Sequence, residues 1–390
     1  MHPSLGSSGG LLRARLSSAF DESVYRTEAA RSNADLIPRP LAITLQTPAS
    51  LPAARERWGY VERLTREIEQ VARLFDRDRD VLALHFDGGA GVAPQWREVE
   101  ALVGSLERNF HFGATTRRLF SIRIDPGTVQ ADDFDACASL GFHCVDIDAT
   151  GHDLATTVRT IELARGNGLL SACVEWPVAH GGLPDALLAA RPDRIGCLLP
   201  EGSASPASLG TVGPLAAALA QAGYADIGLD PRPLPWIDPA GPPLLNGIAR
   251  DGRWRRPEPD VDVIGLGAGA LSRIRDSVCQ NHLELGAWEA ALDAAGLPVW
   301  RGLLLEAEDR LRMDVAGELL RTGEIGVAHV EQRFAIDFND HFERELQALA
   351  ALPAGLVDRS PNVLRATSQG RLMLRIMAEC FDIPGQRPPP

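Results

Sequence analysis

No apolar run in this 390-residue sequence approaches the roughly 20 residues that cross a bilayer. Its first residues lack the basic-then-apolar order of a signal peptide, so the cytoplasm is the expected compartment. Positive charge is also in deficit. Thirty-nine Lys and Arg against 52 Asp and Glu give a net charge of −13, which would repel nucleic acid or an anionic membrane, and neither is expected as a partner. Cysteine is scarce and scattered, at Cys137, Cys144, Cys173, Cys197, Cys279 and Cys380. No pair has the close spacing of a metal or redox motif. Several sit inside apolar runs such as Ser171-Ala-Cys-Val174 and Ile195-Gly-Cys-Leu198, where buried thiols act as small hydrophobes. Neither a Walker-type phosphate loop nor a Ser-His-Asp pattern is found. The glycines of Val261-Asp-Val-Ile-Gly-Leu-Gly-Ala-Gly-Ala-Leu-Ser272 have the wrong spacing for a dinucleotide fingerprint.

What is there alternates between strand and helix. Leu41-Ala-Ile-Thr-Leu-Gln46 reads as a first strand, and Val61, Leu64, Ile68, Val71 and Leu74 recur at helical spacing within 54–75. The central stretch is Val81-Leu-Ala-Leu-His-Phe-Asp-Gly-Gly-Ala-Gly-Val92, an apolar strand that stops in glycines. Ligands of α/β proteins bind beyond the carboxyl ends of strands, so Gly88, Gly89 and Gly91 mark the expected mouth of a site. Helix 95–109, strand 119–125, helix 131–140, strand 144–149, helix 153–166, strand 170–176, helix 183–190, strand 194–199 and helix 208–222 follow. That rhythm predicts parallel pairing and an α/β fold, a partial (β/α)6 TIM-like barrel. Residues 1–35 read as a flexible N-terminal segment and 36–230 as the barrel. Residues 231–298, which open with a Pro/Arg-rich stretch over 231–259, read as an irregular connection and a glycine-rich segment completing the barrel. Residues 299–385 read as a C-terminal, mainly helical domain.

The order of several local motifs resembles the oxygen-independent coproporphyrinogen III oxidases, radical S-adenosylmethionine enzymes. Leu84-His-Phe-Asp-Gly-Gly-Ala-Gly91 stands where that family has Trp-Gly-Gly-Gly-Thr-Pro, and Ser121-Ile-Arg-Ile-Asp-Pro126 matches its Ser-Ile-Glu-x-Asp-Pro strand. Ile264-Gly-Leu-Gly-Ala-Gly-Ala-Leu-Ser272 is similar to its Leu-Gly-x-Gly-x-Ser-Ala-x-Ser segment. Gln280-Asn281, Trp300-Arg-Gly302, Gly370-Arg-Leu372 and Cys380-Phe-Asp382 recur at family positions too. The resemblance implies a radical-SAM-type barrel, a four-iron–four-sulfur cluster and S-adenosylmethionine.

The ligands that this chemistry needs are missing. Three thiolates hold such a cluster and leave one iron open. The family's cluster-cysteine positions fall at Ser50, Ala54 and Arg57. Alanine has no donor atom, a guanidinium is a permanent cation, and serine is a poor substitute for a soft thiolate. The family glutamate that holds the cofactor's methionine end falls at Arg123, its aromatic before the cluster loop at Thr44, and its Thr-Pro at Ala90-Gly91. A family glutamine falls at Thr150 and a family aspartate at Glu175. Gly88, Gly89, Glu175 and Leu271 remain as candidate cofactor-binding residues; no catalytic and no metal-binding residue is expected.

Three functions are open at this point. The leading one is a pseudoenzyme of haem or porphyrin metabolism, catalytically silent or repurposed to bind a tetrapyrrole or a protein partner. The others are an active coproporphyrinogen dehydrogenase-type radical oxidoreductase, and a cluster-free enzyme with Glu175 as acid or base. Asp125, Asp146 and Asp148 read as solvated or capping carboxylates with a divalent cation as the alternative. His85, His143, His152 and His180 read as strand-end histidines, with haem ligation or proton transfer as the alternative. The Arg250–Arg256 run reads as a solvated loop, or as guanidinium forks for tetrapyrrole carboxylates.

Overall fold

A computed structural model describes residues 15–47, 54–87, 96–113, 119–169, 171–177, 183–198, 209–226, 248–249 and 261–382. After helix α1 (Glu22–Asn33), six strand–helix units follow. They are β1 (Leu41–Gln46) with α2 (Ala54–Ala72), β2 (Asp80–Asp87) with α3 (Trp96–Asn109), and, after a short β3 (His111–Phe112), β4 (Leu119–Ile124) with α4 (Ala131–Ser139). The series continues as β5 (Cys144–Asp148) with α5 (Leu154–Gly166), β6 (Ser171–Pro177) with α6 (Asp185–Ala190), and β7 (Arg194–Leu198) with α7 (Leu209–Gln221). Strands β1, β2, β4, β5, β6 and β7 pair in parallel in that order. The six units are those expected of the (β/α)6 arrangement.

Among the described residues the sheet does not close on itself. Strand β10 (Asp262–Leu266) adds in parallel to the outer side of β1, and β11 (Leu271–Ile274), β12 (Ser277–Asn281) and β13 (Val299–Leu304) continue it antiparallel, with α8 (Leu285–Asp293) between the last two. At the other edge β8 (Ala225–Asp226) and β9 (Ile248–Ala249) add antiparallel to β7, giving an open 13-stranded sheet. Residues 261–304 are therefore more regular than the expected connection, and the mainly helical part follows β13.

Side-chain period 2 divides the strands into two faces. Leu84 and Phe86, Phe120 and Ile122, Val145 and Ile147, Val174 and Trp176 join the main apolar core. The alternate positions (His85 and Asp87, Ser121 and Arg123, Cys144, Asp146 and Asp148, Cys173 and Glu175) belong to the opposite, concave face. A lumen of polar side chains thus runs through a shell of Val, Ile, Leu and Phe.

The N-terminal residues depart from the flexible segment expected over 1–35. Ser17 exchanges both backbone hydrogen bonds with Gly302 at 2.8 and 2.9 Å, and Phe20, Tyr25 and Ala29 are buried in the main core. The glycine and serine content of 1–20 hid an amphipathic helix whose cap is Asp21, which accepts from the backbone of Ser23 and Val24. Below the sheet, Arg79 and Asp262 form a buried ion pair at 2.7 Å, and Arg79 also donates to Ser32 and to the Arg39 carbonyl.

The glycine-rich stretch after β10 is held by α2. Glu67 accepts from the Gly267 backbone at 3.0 Å, from Trp288 Nε1 at 3.0 Å and from Asn281 Nδ2 at 2.7 Å. Tyr60 donates to the Gln46 carbonyl at 2.7 Å and stacks on Trp288 with centroids 4.6 Å apart. Gly267 has φ +108, and a Cβ there would fall 2.2 Å from the Gln46 carbonyl. Only glycine lets this turn pack against the end of β1.

Residues beyond 305 build a second apolar cluster from α9 (Ala307–Thr322), α10 (Val327–Phe334), α11 (Phe338–His341), α12 (Glu343–Ala350) and α13 (Leu374–Asp382). Strand β14 (Glu324–Gly326) pairs antiparallel with β16 (Val363–Ala366), which pairs with β15 (Val357–Arg359). Arg312 ties this cluster together through Glu345 at 2.6 Å and the Phe381 carbonyl at 3.1 Å.

Burial pushes the Glu67 carboxyl up to about 7, against three donors that favour its charge. The folded state therefore holds a proton there that the unfolded chain releases from 4.5 upward. Stability from this group is full below about pH 4.5 and falls by on the order of 3 kcal/mol as pH rises through about 7. Urea unfolding of the wild type across that range, compared with Glu67→Gln, is expected to show the slope only in the wild type. Identical slopes would remove Glu67 as its source.

Candidate functional site at the barrel mouth

The mouth is organised around Arg123, on the concave face of β4. Its Nη2 donates to Asp148 Oδ2 at 2.7 Å and lies 3.0 Å from Glu175 Oε2. The sheet register makes this clasp. Arg123 is level with Asp146, while Asp148 and Glu175 are level with each other one layer nearer the carboxyl ends of β5 and β6. A long guanidinium reaches up to both carboxylates. Although burial opposes it, Glu175, Asp87 and Asp148 together raise the Arg123 pKa. Burial is likewise the largest influence on Asp148, yet Arg123 and Thr150 outweigh it and hold its carboxyl below the usual range. At Glu175 burial prevails over Arg123, with Asp146 adding repulsion, and the pKa rises. Two acids on one cation thus titrate in opposite directions.

Beside the clasp, His152 Nε2 meets Asp125 Oδ1 at 2.8 Å, and the same oxygen accepts from the Gly127 backbone at 2.8 Å. A Cβ at Gly127 would stand 2.7 Å from the imidazole, so the glycine makes room for the pair. Asp125, Asp146 and Asp148 do not converge as a cation site would require; each meets a different partner. Below the clasp, His85 Nδ1 is 2.8 Å from Ser121 Oγ and 3.9 Å from Asp146 Oδ2, and Arg194 Nη2 is 3.5 Å from Asp146 Oδ1. Burial raises the Asp146 pKa despite Arg194 and His85.

Several expected site residues stand elsewhere. His143 precedes β5 and so lies at the amino end of the strands, away from the mouth, where burial lowers its pKa. Leu271 opens β11 and packs against the small Leu16, Val278 and Leu305 cluster. Gly88, Gly89, Ala90, Gly91, Ser50, His180 and the Arg250–Arg256 run lie outside the described residues. Ala54 begins α2. Arg57, one turn on, pairs with Glu98 of α3 at 3.3 Å.

These residues do not fit a three-thiolate cluster. The sequence has no cysteine before Cys137, and a cation bound to Glu98 occupies one expected ligand position. Among the described cysteines, Cys144 and Cys173 approach each other to 3.8 Å. Cys137 and Cys279 are buried in the main core and Cys380 in the C-terminal one. Cys144 and Cys173 are fully buried, as their reading as small hydrophobes expected, and they lie on the strand face that also carries Asp146. The signal was present in the sequence as the alternation Cys144-Val-Asp-Ile-Asp148, polar at every second residue of a buried strand.

Comparison with solved structures shows a shared fold. The chain superimposes on the coproporphyrinogen III oxidase of Escherichia coli, described as a radical SAM enzyme, with a TM-score of 0.77 over 95% of both chains at 23% identity. No family model matches the sequence. Curated relatives narrow the class: oxygen-independent coproporphyrinogen III oxidase from Salmonella typhimurium is 27% identical over 360 residues, 83% of this chain and 78% of that protein. The Synechocystis protein of the same name is 26% identical over 365 residues with the same coverage. The chain is thus similar over most of its length to the oxygen-independent coproporphyrinogen III oxidases, the resemblance that its motif order carried. No helix among the described residues is long and apolar enough to cross a membrane.

Removing the cation of the clasp leaves Asp148 and Glu175 facing each other. Arg123→Met is expected to cost on the order of 3 kcal/mol at about pH 8. The depressed pKa of Asp148 contributes stability above its ordinary value and loses it on acidification. The cost should therefore shrink once the pH falls below the ordinary 3.8 of Asp148, at about pH 3, as the carboxyl takes up its proton. Chemical denaturation at the two pH values measures this; an equal loss at both would show that Arg123 acts by packing alone.

Proposed function

We propose that this chain is a coproporphyrinogen oxidase-type scaffold that no longer performs cluster-dependent radical chemistry, a cytoplasmic pseudoenzyme that binds a tetrapyrrole at the barrel mouth. The observation that carries the reading is the guanidinium of Arg123 held between Asp148 and Glu175. By the resemblance, position 123 is where the family has the glutamate for the cofactor's amino group. Arginine at this position offers no acceptor to an ammonium, and Asp148 and Glu175 are engaged by its guanidinium rather than left for a cationic ligand. The Arg57–Glu98 pair supports the same conclusion from the cluster side, since it spends one ligand position on bracing α2 against α3. The choice of a tetrapyrrole follows the relatives, which are named for acting on coproporphyrinogen III.

Protein purified without oxygen is expected to be colourless, free of iron and acid-labile sulfide, and inactive on coproporphyrinogen III with S-adenosylmethionine and a reductant. Four irons per chain with broad visible charge-transfer absorption would overturn the silent reading and restore the radical one. Absorbance titration with haem and with coproporphyrin is expected to saturate at micromolar concentration. A linear response with both would remove the tetrapyrrole half.

One observation favours a cluster-free enzyme as a second reading: burial raises the Glu175 pKa at the mouth, the direction that suits a general acid or base. On that reading the pocket takes another small molecule with Glu175 as acid or base, and Glu175→Gln abolishes its turnover. Unchanged turnover in that variant ends it.

A further inference from the structure

Beneath the Arg123 clasp the lumen carries a second group of donors that neither the silent reading nor the family's chemistry uses. Cys144 and Asp146 are alternate residues of β5 and share its concave face. Cys173 of β6 stands directly opposite Asp146 in the parallel register. The donor atoms of Cys144, Asp146 and Cys173 all lie within 4.8 Å of one another, and all three residues are buried. The two sulfurs are 3.8 Å apart.

That spacing is informative. Zinc–thiolate bonds of about 2.3 Å at a tetrahedral angle put two sulfurs about 3.8 Å apart. A disulfide would need the sulfurs to close to about 2.05 Å, which two neighbouring strands in fixed diagonal register resist. The surroundings complete the arrangement. His85 Nδ1 lies 3.9 Å from Asp146 Oδ2 and 2.8 Å from Ser121 Oγ, so the imidazole flanks the carboxylate from outside the donor group. Arg194 is 3.5 Å from the other Asp146 oxygen. A divalent ion, two thiolates and one carboxylate sum to −1, and the guanidinium brings the buried cluster to neutrality.

From this geometry we infer that Cys144, Asp146 and Cys173 form a buried zinc site inside the barrel, with three protein ligands and a fourth position left to water. Binding displaces protons from the two thiols and any proton on Asp146; no oxidation is involved. Two soft thiolates beside one carboxylate select zinc over magnesium or calcium, which take all-oxygen sets. The ion would join β5 to β6, fixing the floor of the mouth whatever binds above it.

The test is metal content of the full chain expressed in zinc-supplemented medium and purified without a metal-affinity column. About one zinc per chain, with no acid-labile sulfide, is expected. Cys144→Ser and Cys173→Ser should bring it to background, whereas Cys380→Ser, in the C-terminal cluster, should keep it. Cobalt added to metal-stripped wild type should give an intense tetrahedral visible spectrum with a thiolate charge-transfer band, returned to baseline by zinc. Should a cysteine variant fail to fold, Asp146→Asn and the wild-type cobalt spectrum still decide. Less than a tenth of a zinc per chain together with an octahedral cobalt spectrum would overturn the site. Iron and sulfide, by contrast, would overturn the silent reading and not this one.

Discussion

A lumen that buries charge must neutralise it from within, and that constraint shapes this molecule more than any other. Arg123 against Asp148 and Glu175, and Arg194 with His85 against Asp146, are the two layers of that compensation. Removing one partner of such a set leaves an uncompensated charge in a medium that solvates it poorly. The polar residues are thereby fixed as a group, and the strands that present them are fixed in register. A slip by one residue would turn every one of them into the apolar shell.

The shell itself is the ordinary product of alternation and crossover helices. Its distinguishing contacts lie at the seam where β10 joins β1. There α2 supplies a buried carboxyl and a phenol to hold the Gly267 turn, and Arg79 and Asp262 close the opposite end. The glycine pattern after β10 thus has a mechanical explanation: backbone of the turn meets the end of β1 without room for a side chain.

The contrast between scaffold and mouth bears on how such a chain diverges. The apolar shell, the seam and the strand order tolerate little change, because each residue touches many others. The mouth is assembled from loop and strand-end residues, which change with less consequence for folding. Arg123 shows how an altered position can be absorbed. Its charge is matched by Asp148 and Glu175, so the mouth becomes a self-neutralised ion cluster rather than a strained one.

The sequence alone determined the six β/α units, close to residue for residue, because period-2 and period-3.6 patterns are local. It also determined the absence of thiols before Cys137 and the motif order shared with the oxidase family. The sequence made the short strand–helix segment from Val363 legible, but not β11 to β13, β14 or β15, since short antiparallel strands draw their stability from neighbours rather than from their own pattern. It also missed α1, whose small-residue surroundings resemble a loop until Tyr25 and Ala29 find the core. Only the tertiary structure decided which polar residues meet. Arg123 reaches its two acids across 25 and 52 positions of sequence, and Cys144 meets Cys173 through a register that the pairing of β5 with β6 imposes. Sequence spacing carries periodicity; proximity across strands is a property of the assembled sheet.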